Sequence, residues 1–159
     1  MRGDAEIVEM LNEVLTGELT AINQYFVDAK MCENWGYKRL GDHFRDESID
    51  EMKDADELIE RILYLDGVPN LQRLGTVRVG EVVNEKLQLA LDLEREAITR
   101  LNRAIDLSVA KGDNGTRDLF EDILEGEEKH ADWLETQLEL IGKIGLENYL
   151  QAQLPPKSS

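Results

Sequence analysis

The sequence predicts an all-α protein, a four-helix bundle with one long crossover between the second and third helices and a short fifth helix. Three observations predict it. Apolar residues recur at i, i+3/i+4, i+7 spacing through four long segments, with almost no sign of strands. Glycine, proline and asparagine separate the segments. One connection is far longer than the others. A chain of 159 residues with 42% hydrophobic residues and three prolines makes one domain, residues 1–159, and excludes a multi-domain enzyme.

The first helix is expected over about 5–35, with Asp4 as N-cap and Gly36 as stop. The second runs over about 38–65 and is closed by Asp66-Gly67-Val68-Pro69. The third spans about 81–111 and ends at Gly112. The fourth spans about 116–142, with Thr116 as cap and Gly142 as stop, and a short helix at 146–153 precedes Pro155-Pro156. Short first and third loops force antiparallel neighbours. The stretch from Asp66 to Val79 reaches about 45 Å extended. It can travel the roughly 40 Å of a 27-residue helix, which makes the second and third helices parallel. Leu71, Leu74, Val77 and Val79 predict that this crossover packs down on the bundle. Ser158 and Ser159 are expected to fray.

Thirty-four acidic against eighteen basic residues give a formal net charge of −16, which repels nucleic-acid phosphate and anionic membranes and attracts cations. The single cysteine, Cys32, has no intrachain partner, and Met1-Arg2-Gly3-Asp4-Ala5-Glu6 does not resemble a leader peptide. No apolar run approaches the roughly 18 residues of a membrane span. A cytoplasmic protein is expected, without nucleic-acid or membrane partners.

Each apolar stripe is interrupted near mid-helix by a glutamate. The first stripe reads Ile7, Leu11, Val14, Glu18, Ile22, Tyr25, Ala29; the second Leu40, Phe44, Glu51, Ala55, Leu58, Ile62, Leu65. The third reads Val83, Leu87, Leu91, Glu94, Ile98, Leu101, Ile105; the fourth Phe120, Ile123, Glu127, Ala131, Leu134, Leu138, Ile141. All four glutamates therefore point inward at similar height. Four converging buried carboxylates are intolerable without positive charge, and basic residues are scarce on these stripes. Metal ions supply it. Oxygen ligands with one imidazole suit iron or manganese. His130 follows Glu127 at i+3, and Asp54 follows Glu51 at the same spacing, so two pairs and two single glutamates make a dinuclear carboxylate site. This constellation and the one-crossover topology are those of ferritin-like bundles. Tyr25 lies on the face of Glu18, where it could hydrogen-bond a ligand, donate an electron or simply fill the core.

Met52, next to inward Glu51, is turned about 100° away toward the outside of the second helix. With Ile49 and a second stripe of Leu15, Leu19, Ile22 and Phe26 it makes an apolar patch suited to burial between subunits. Spacing alone leaves open whether Met52 fills an interface or ligates a cofactor. Asp46 and Asp50, four apart, are either solvated acids or attractors of iron.

The runs Leu19-Thr20-Ala21-Ile22-Asn23-Gln24-Tyr25-Phe26, Asn34-Trp35-Gly36, Glu47-Ser48-Ile49-Asp50-Glu51-Met52-Lys53, Gly67-Val68-Pro69-Asn70-Leu71-Gln72, Asp132-Trp133-Leu134-Glu135-Thr136-Gln137-Leu138 and Gly145-Leu146-Glu147-Asn148-Tyr149-Leu150 resemble the bacterioferritin family over nearly the whole chain. The resemblance implies iron storage in a hollow homo-oligomer of twenty-four subunits built from two-fold dimers, which a second subunit type can join. It implies ferroxidase activity, the oxidation of Fe²⁺ by dioxygen or peroxide at the dinuclear site, and a ferric mineral inside. It further implies haem b ligated by Met52 of both subunits in a pair, and a ferredoxin-type reductase that releases iron. The ferroxidase ligands carry over at Glu18, Glu51, Glu94, Glu127 and His130, with Glu51 and Glu127 bridging, and the family places an iron-handling aspartate at Asp50.

Asp54 departs from the family, which has histidine there. An aspartate Oδ sits as many bonds from the backbone as an imidazole Nδ1, so Asp54 still reaches a metal bound by that nitrogen. Its negative charge favours Fe³⁺ over Fe²⁺ and predicts altered turnover. The alternatives are a haem-binding structural shell subunit whose ferroxidase centre is impaired by Asp54, and a monomeric di-iron oxidase of a small molecule, against which the outward apolar patch argues.

Overall fold

A computed structural model describes residues 1–157; Ser158 and Ser159, expected to fray, lie outside the described residues. It is all-helical: α1 (Ala5–Asn34), α2 (Lys38–Tyr64), α3 (Val83–Lys111), α4 (Asn114–Ile144) and the short α5 (Leu146–Gln151), with no strand among the described residues. Asp4 caps α1 by accepting from the backbone N–H of Glu6 and Ile7. Two boundaries differ from expectation for local reasons. Asp113, not Thr116, caps α4; its carboxylate accepts from the Thr116 N–H and hydroxyl, so the helix starts two residues earlier. Gly142 stays helical, and α4 ends at Gly145, whose φ of 85° only glycine adopts without strain.

Side-chain pairs give the directions. Arg45 reaches Glu33, Ser48 bonds the Ile22 carbonyl and Gly3 bonds the Leu65 carbonyl, so α2 runs antiparallel to α1. Lys86 meets Asp28 and Arg103 meets Glu13, so α3 is also antiparallel to α1 and hence parallel to α2. The connection over 65–82 accordingly climbs the length of α1. What pins it is polar. Asn12 donates to the Val68 carbonyl and accepts from the Asn70 N–H, Thr20 Oγ accepts from the Gly75 N–H, and Gln24 accepts from the Arg78 N–H. Leu71, Leu74 and Val79, expected to pack the crossover down, are instead exposed.

The core is in two pieces. One holds Ile7, Leu11, Val14, Leu15, Leu58, Ile62, Leu101, Phe120 and Ile123; the other holds Tyr25, Ala29, Leu40, Phe44, Leu87, Leu91 and Leu134. Glu18, Glu51, Glu94 and Glu127 fall between them in every helix. Leu15, read as part of an outward stripe, is fully buried in the first piece; Phe26, Ile49 and Met52 of that patch are exposed.

Candidate metal centre

The layer between the two core pieces is made of acids. Glu18 from α1, Glu51 from α2, Glu94 from α3, and Glu127 and His130 from α4 are each at most 4% exposed. Helical periodicity forces this, because each sits one or two turns from fully buried leucine, isoleucine or phenylalanine on its own stripe. One carboxylate oxygen each from Glu18, Glu51, Asp54 and Glu127 lie within 4.8 Å of one another. Glu94 faces the other side of Glu127: its Oε1 lies 3.0 Å from His130 Nδ1 and accepts from the fully buried Tyr25 hydroxyl. The structure thus brings seven of the sequence-predicted positions, Glu18, Tyr25, Glu51, Asp54, Glu94, Glu127 and His130, to one level. Asp50 lines the cavity beside the ring but belongs to neither cluster of ligand atoms, and Met52 is exposed on the other side of α2.

The electrostatics are those of acids crowded together away from solvent. Burial, with Glu94 nearby, pushes the Glu51 carboxyl well above its ordinary range, and burial with Glu51 and Glu94 does the same to Glu127. Burial, Glu57 and Asp50 raise Asp54 to about 7. Glu94 goes the other way: burial opposes its ionisation, but hydrogen bonds with Glu127, His130 and Tyr25 outweigh it. The ring thus holds one stabilised carboxylate and three acids that resist charge. Burial and the neighbouring Glu94 and Glu127 also keep the Tyr25 phenol protonated.

Sequence reasoning missed His43, Glu47 and Trp133 as neighbours of this layer. His43 Nε2 lies 3.0 Å from His130 Nε2, Glu47 Oε2 lies 3.4 Å from His130 Nδ1, and the Trp133 indole stacks on His43 with centroids 3.5 Å apart. Burial drives His43 down to about 3, so the ring is neutral, and raises Glu47 to about 7. The signal was present: His43, Glu47 and Glu51 recur at i, i+4, i+8 on one face of α2.

Buried polar atoms without partners test whether cations fit. Among the described residues, Glu18 Oε2, Glu51 Oε2 and Glu94 Oε2 are buried with no hydrogen bond. Such orphans are rare in proteins and cost about 1–3 kcal/mol each, more when charged. Two divalent cations would satisfy all three and balance four of the five carboxylates, leaving the one extra negative charge that Asp54 adds. Hard oxygen donors with one imidazole match iron or manganese.

A one-crossover four-helix bundle cut at mid-height by inward carboxylates from all four helices is a ferritin-like protein. In agreement, residues 8–144 match the family model for the ferritin-like domain. The chain is 52% identical to a bacterioferritin of Mycolicibacterium paratuberculosis over 149 residues, covering 94% of each chain. It is 53% identical to a bacterioferritin of Streptomyces coelicolor, covering 94% of this chain and 90% of that one, and 41% identical to one of Brucella melitensis, covering 98% and 97%. The chain belongs to the bacterioferritin family.

Proposed function

We propose that this protein stores iron and is itself a ferroxidase, taking two Fe²⁺ per chain as substrate in the ring of Glu18, Glu51, Asp54, Glu94, Glu127 and His130. The observation that carries the reading is the set of unpartnered, buried oxygens on Glu18, Glu51 and Glu94. Glu127 lies in the ligand-atom cluster with Glu18, Glu51 and Asp54 and is also close enough to Glu94 to perturb its ionisation, which supports a bridging role for it and for Glu51. Cation entry displaces protons from Glu51 and Glu127, and the leaving protons go to solvent through the cavity of about 510 Å³ beside the ring. Each Fe²⁺ gives up one electron; dioxygen takes two electrons and two protons and leaves as hydrogen peroxide, or peroxide takes them and leaves as water. Tyr25, bonded to Glu94, holds that carboxylate in place and is positioned to supply an electron.

Asp54 supports catalysis in this reading rather than impairing it, because its carboxylate is within reach of the same cation as Glu18, Glu51 and Glu127. The added negative charge slows release of Fe³⁺, so Asp54→His is expected to speed turnover after the first round of oxidation. Identical kinetics in the two proteins would remove Asp54 from the mechanism.

The exposed Phe26, Ile49 and Met52 patch supports a two-fold dimer, with haem b held between the two Met52 thioethers, and a twenty-four-subunit shell in which ferric mineral accumulates. Haem there supplies a route for electrons. A small iron–sulfur ferredoxin is the reductase of this reading, and the cytoplasm its compartment. No helix among the described residues is long and apolar enough to cross a membrane. Stopped-flow oxidation of Fe²⁺ by metal-free protein tests the ferroxidase assignment. A fast phase that saturates at two irons per chain is expected, and oxidation that scales with iron without saturating would leave a shell that stores iron oxidised elsewhere.

A further inference from the structure

We propose that His43, Glu47 and His130 form a third, mononuclear site for a divalent cation beside the carboxylate ring. One nitrogen from each imidazole and a Glu47 oxygen lie within 4.8 Å of one another. The two Nε2 atoms are 3.0 Å apart. Two imidazole nitrogens bound to one cation at about 2.0–2.1 Å, with angles between 90° and 109°, stand roughly 2.9–3.4 Å apart, so the rings already hold the ligand spacing. A cation there replaces the proton that the two nitrogens otherwise share.

The surroundings favour metal over proton. His43 is clamped by the stacked Trp133 indole, so little rotamer freedom is lost on binding. When His130 ligates through Nε2, its Nδ1–H donates to Glu94 Oε1 at 3.0 Å, the carboxylate–histidine support that orients metal-bound imidazoles. The donor set of two imidazoles and one carboxylate suits Zn²⁺, Co²⁺ or Fe²⁺ rather than Ca²⁺ or Mg²⁺. His43 and Glu47 line the same cavity as Glu51, Asp54 and Glu127, so no wall separates this site from the ring.

Sharing His130 has a consequence. A neutral imidazole offers one in-plane lone pair, so His130 serves the ring through Nδ1 or the third site through Nε2, one at a time. The third cation therefore binds more weakly than the first two and acts as a waiting position for iron on its way into or out of the ring. This deepens the ferroxidase reading and rests on it only for the identity of the natural cation.

Co²⁺ tests the site, because it does not turn over with dioxygen as iron does. Titrating Co²⁺ into the assembled metal-free protein, by calorimetry and by Trp133 fluorescence, is expected to show three ions per chain, with quenching concentrated in the third and absent in Trp133→Phe. His43→Gln and Glu47→Gln, which keep side-chain volume, are each expected to bind two and to lose the late quenching. Cobalt anomalous scattering from crystals of the intact protein locates the ion between His43 and His130 without any variant. Two ions per chain in the unsubstituted protein, or three in both variants, would overturn the third site. One ion per chain in the unsubstituted protein and none in His43→Gln would instead uphold this site and remove the dinuclear one.

Discussion

Asp54→Asn should stabilise the metal-free protein, and the gain should grow with pH. The native carboxyl is raised from 3.8 to about 7 by burial, Glu57 and Asp50, whereas the unfolded chain ionises it in the ordinary range. Between those values the native state binds more protons than the unfolded one, so stability falls as pH rises. Three units at about 1.36 kcal/mol each give roughly 4 kcal/mol at full ionisation. Asp54 is only half-buried, and screening reduces this to about 2 kcal/mol. For a chain of this size that corresponds to a rise in Tm of about 4–8 °C at pH 8. At pH 5 only about one unit separates the pH from the unfolded value, so the gain should shrink to roughly a third. Scanning calorimetry of metal-free protein across pH 5–8 measures this. Added Co²⁺ or Zn²⁺ should reverse the order, because the amide is a poorer ligand. An unchanged or lowered Tm at pH 8 in the variant would refute the idea that Asp54 is an opposed charge in the empty ring.

Three further outcomes can be checked. Tyr25→Phe removes the hydroxyl donated to buried Glu94 and should cost about 2 kcal/mol in chemical denaturation; a wild-type midpoint would show that the bond carries no stability. Lys86 and Asp28 form a fully buried pair at 2.9 Å, so Lys86→Met alone should destabilise by about 3–5 kcal/mol, while the double variant with Asp28→Leu recovers most of it. Equal losses in the single and double variants would count against the pair. Met52→Leu keeps an apolar side chain on the exposed patch of α2, so under the proposed haem-bridged dimer the subunits should stay paired while the Soret band of added haem is lost; retention of that band would overturn the proposed role of Met52.

Much of the site was legible because helical periodicity is strict. A glutamate at the register of Leu11 or Leu91 has nowhere to go but inward, and four such residues fix one level of the bundle. Capping followed the same logic at Asp4 but failed at α4, where Asp113 and Thr116 compete for one role and the better acceptor, the carboxylate, wins. The crossover was misread in mechanism though not in path. Apolar side chains suggested burial, yet the segment is held by Asn12, Thr20 and Gln24, because a backbone without helical bonds needs polar partners wherever it lies. The contact between His43 and His130 joins residues 87 apart, and no local pattern encodes such a distance. Lys86 and Asp28 were invisible for the same reason: each looks like a solvated residue until the partner helix arrives.

The division of the core by the acid layer bears on how this chain tolerates change. Every apolar residue buried in one piece lies on one side of Glu18, Glu51, Glu94 and Glu127, and every one in the other piece lies on the far side. A substitution at Phe120 is therefore felt by Ile7 or Leu58 and not by Phe44, so the two ends can drift and repack as separate compartments. Only the acid layer must satisfy both at once. Selection on the whole bundle then concentrates on a few side chains at its waist.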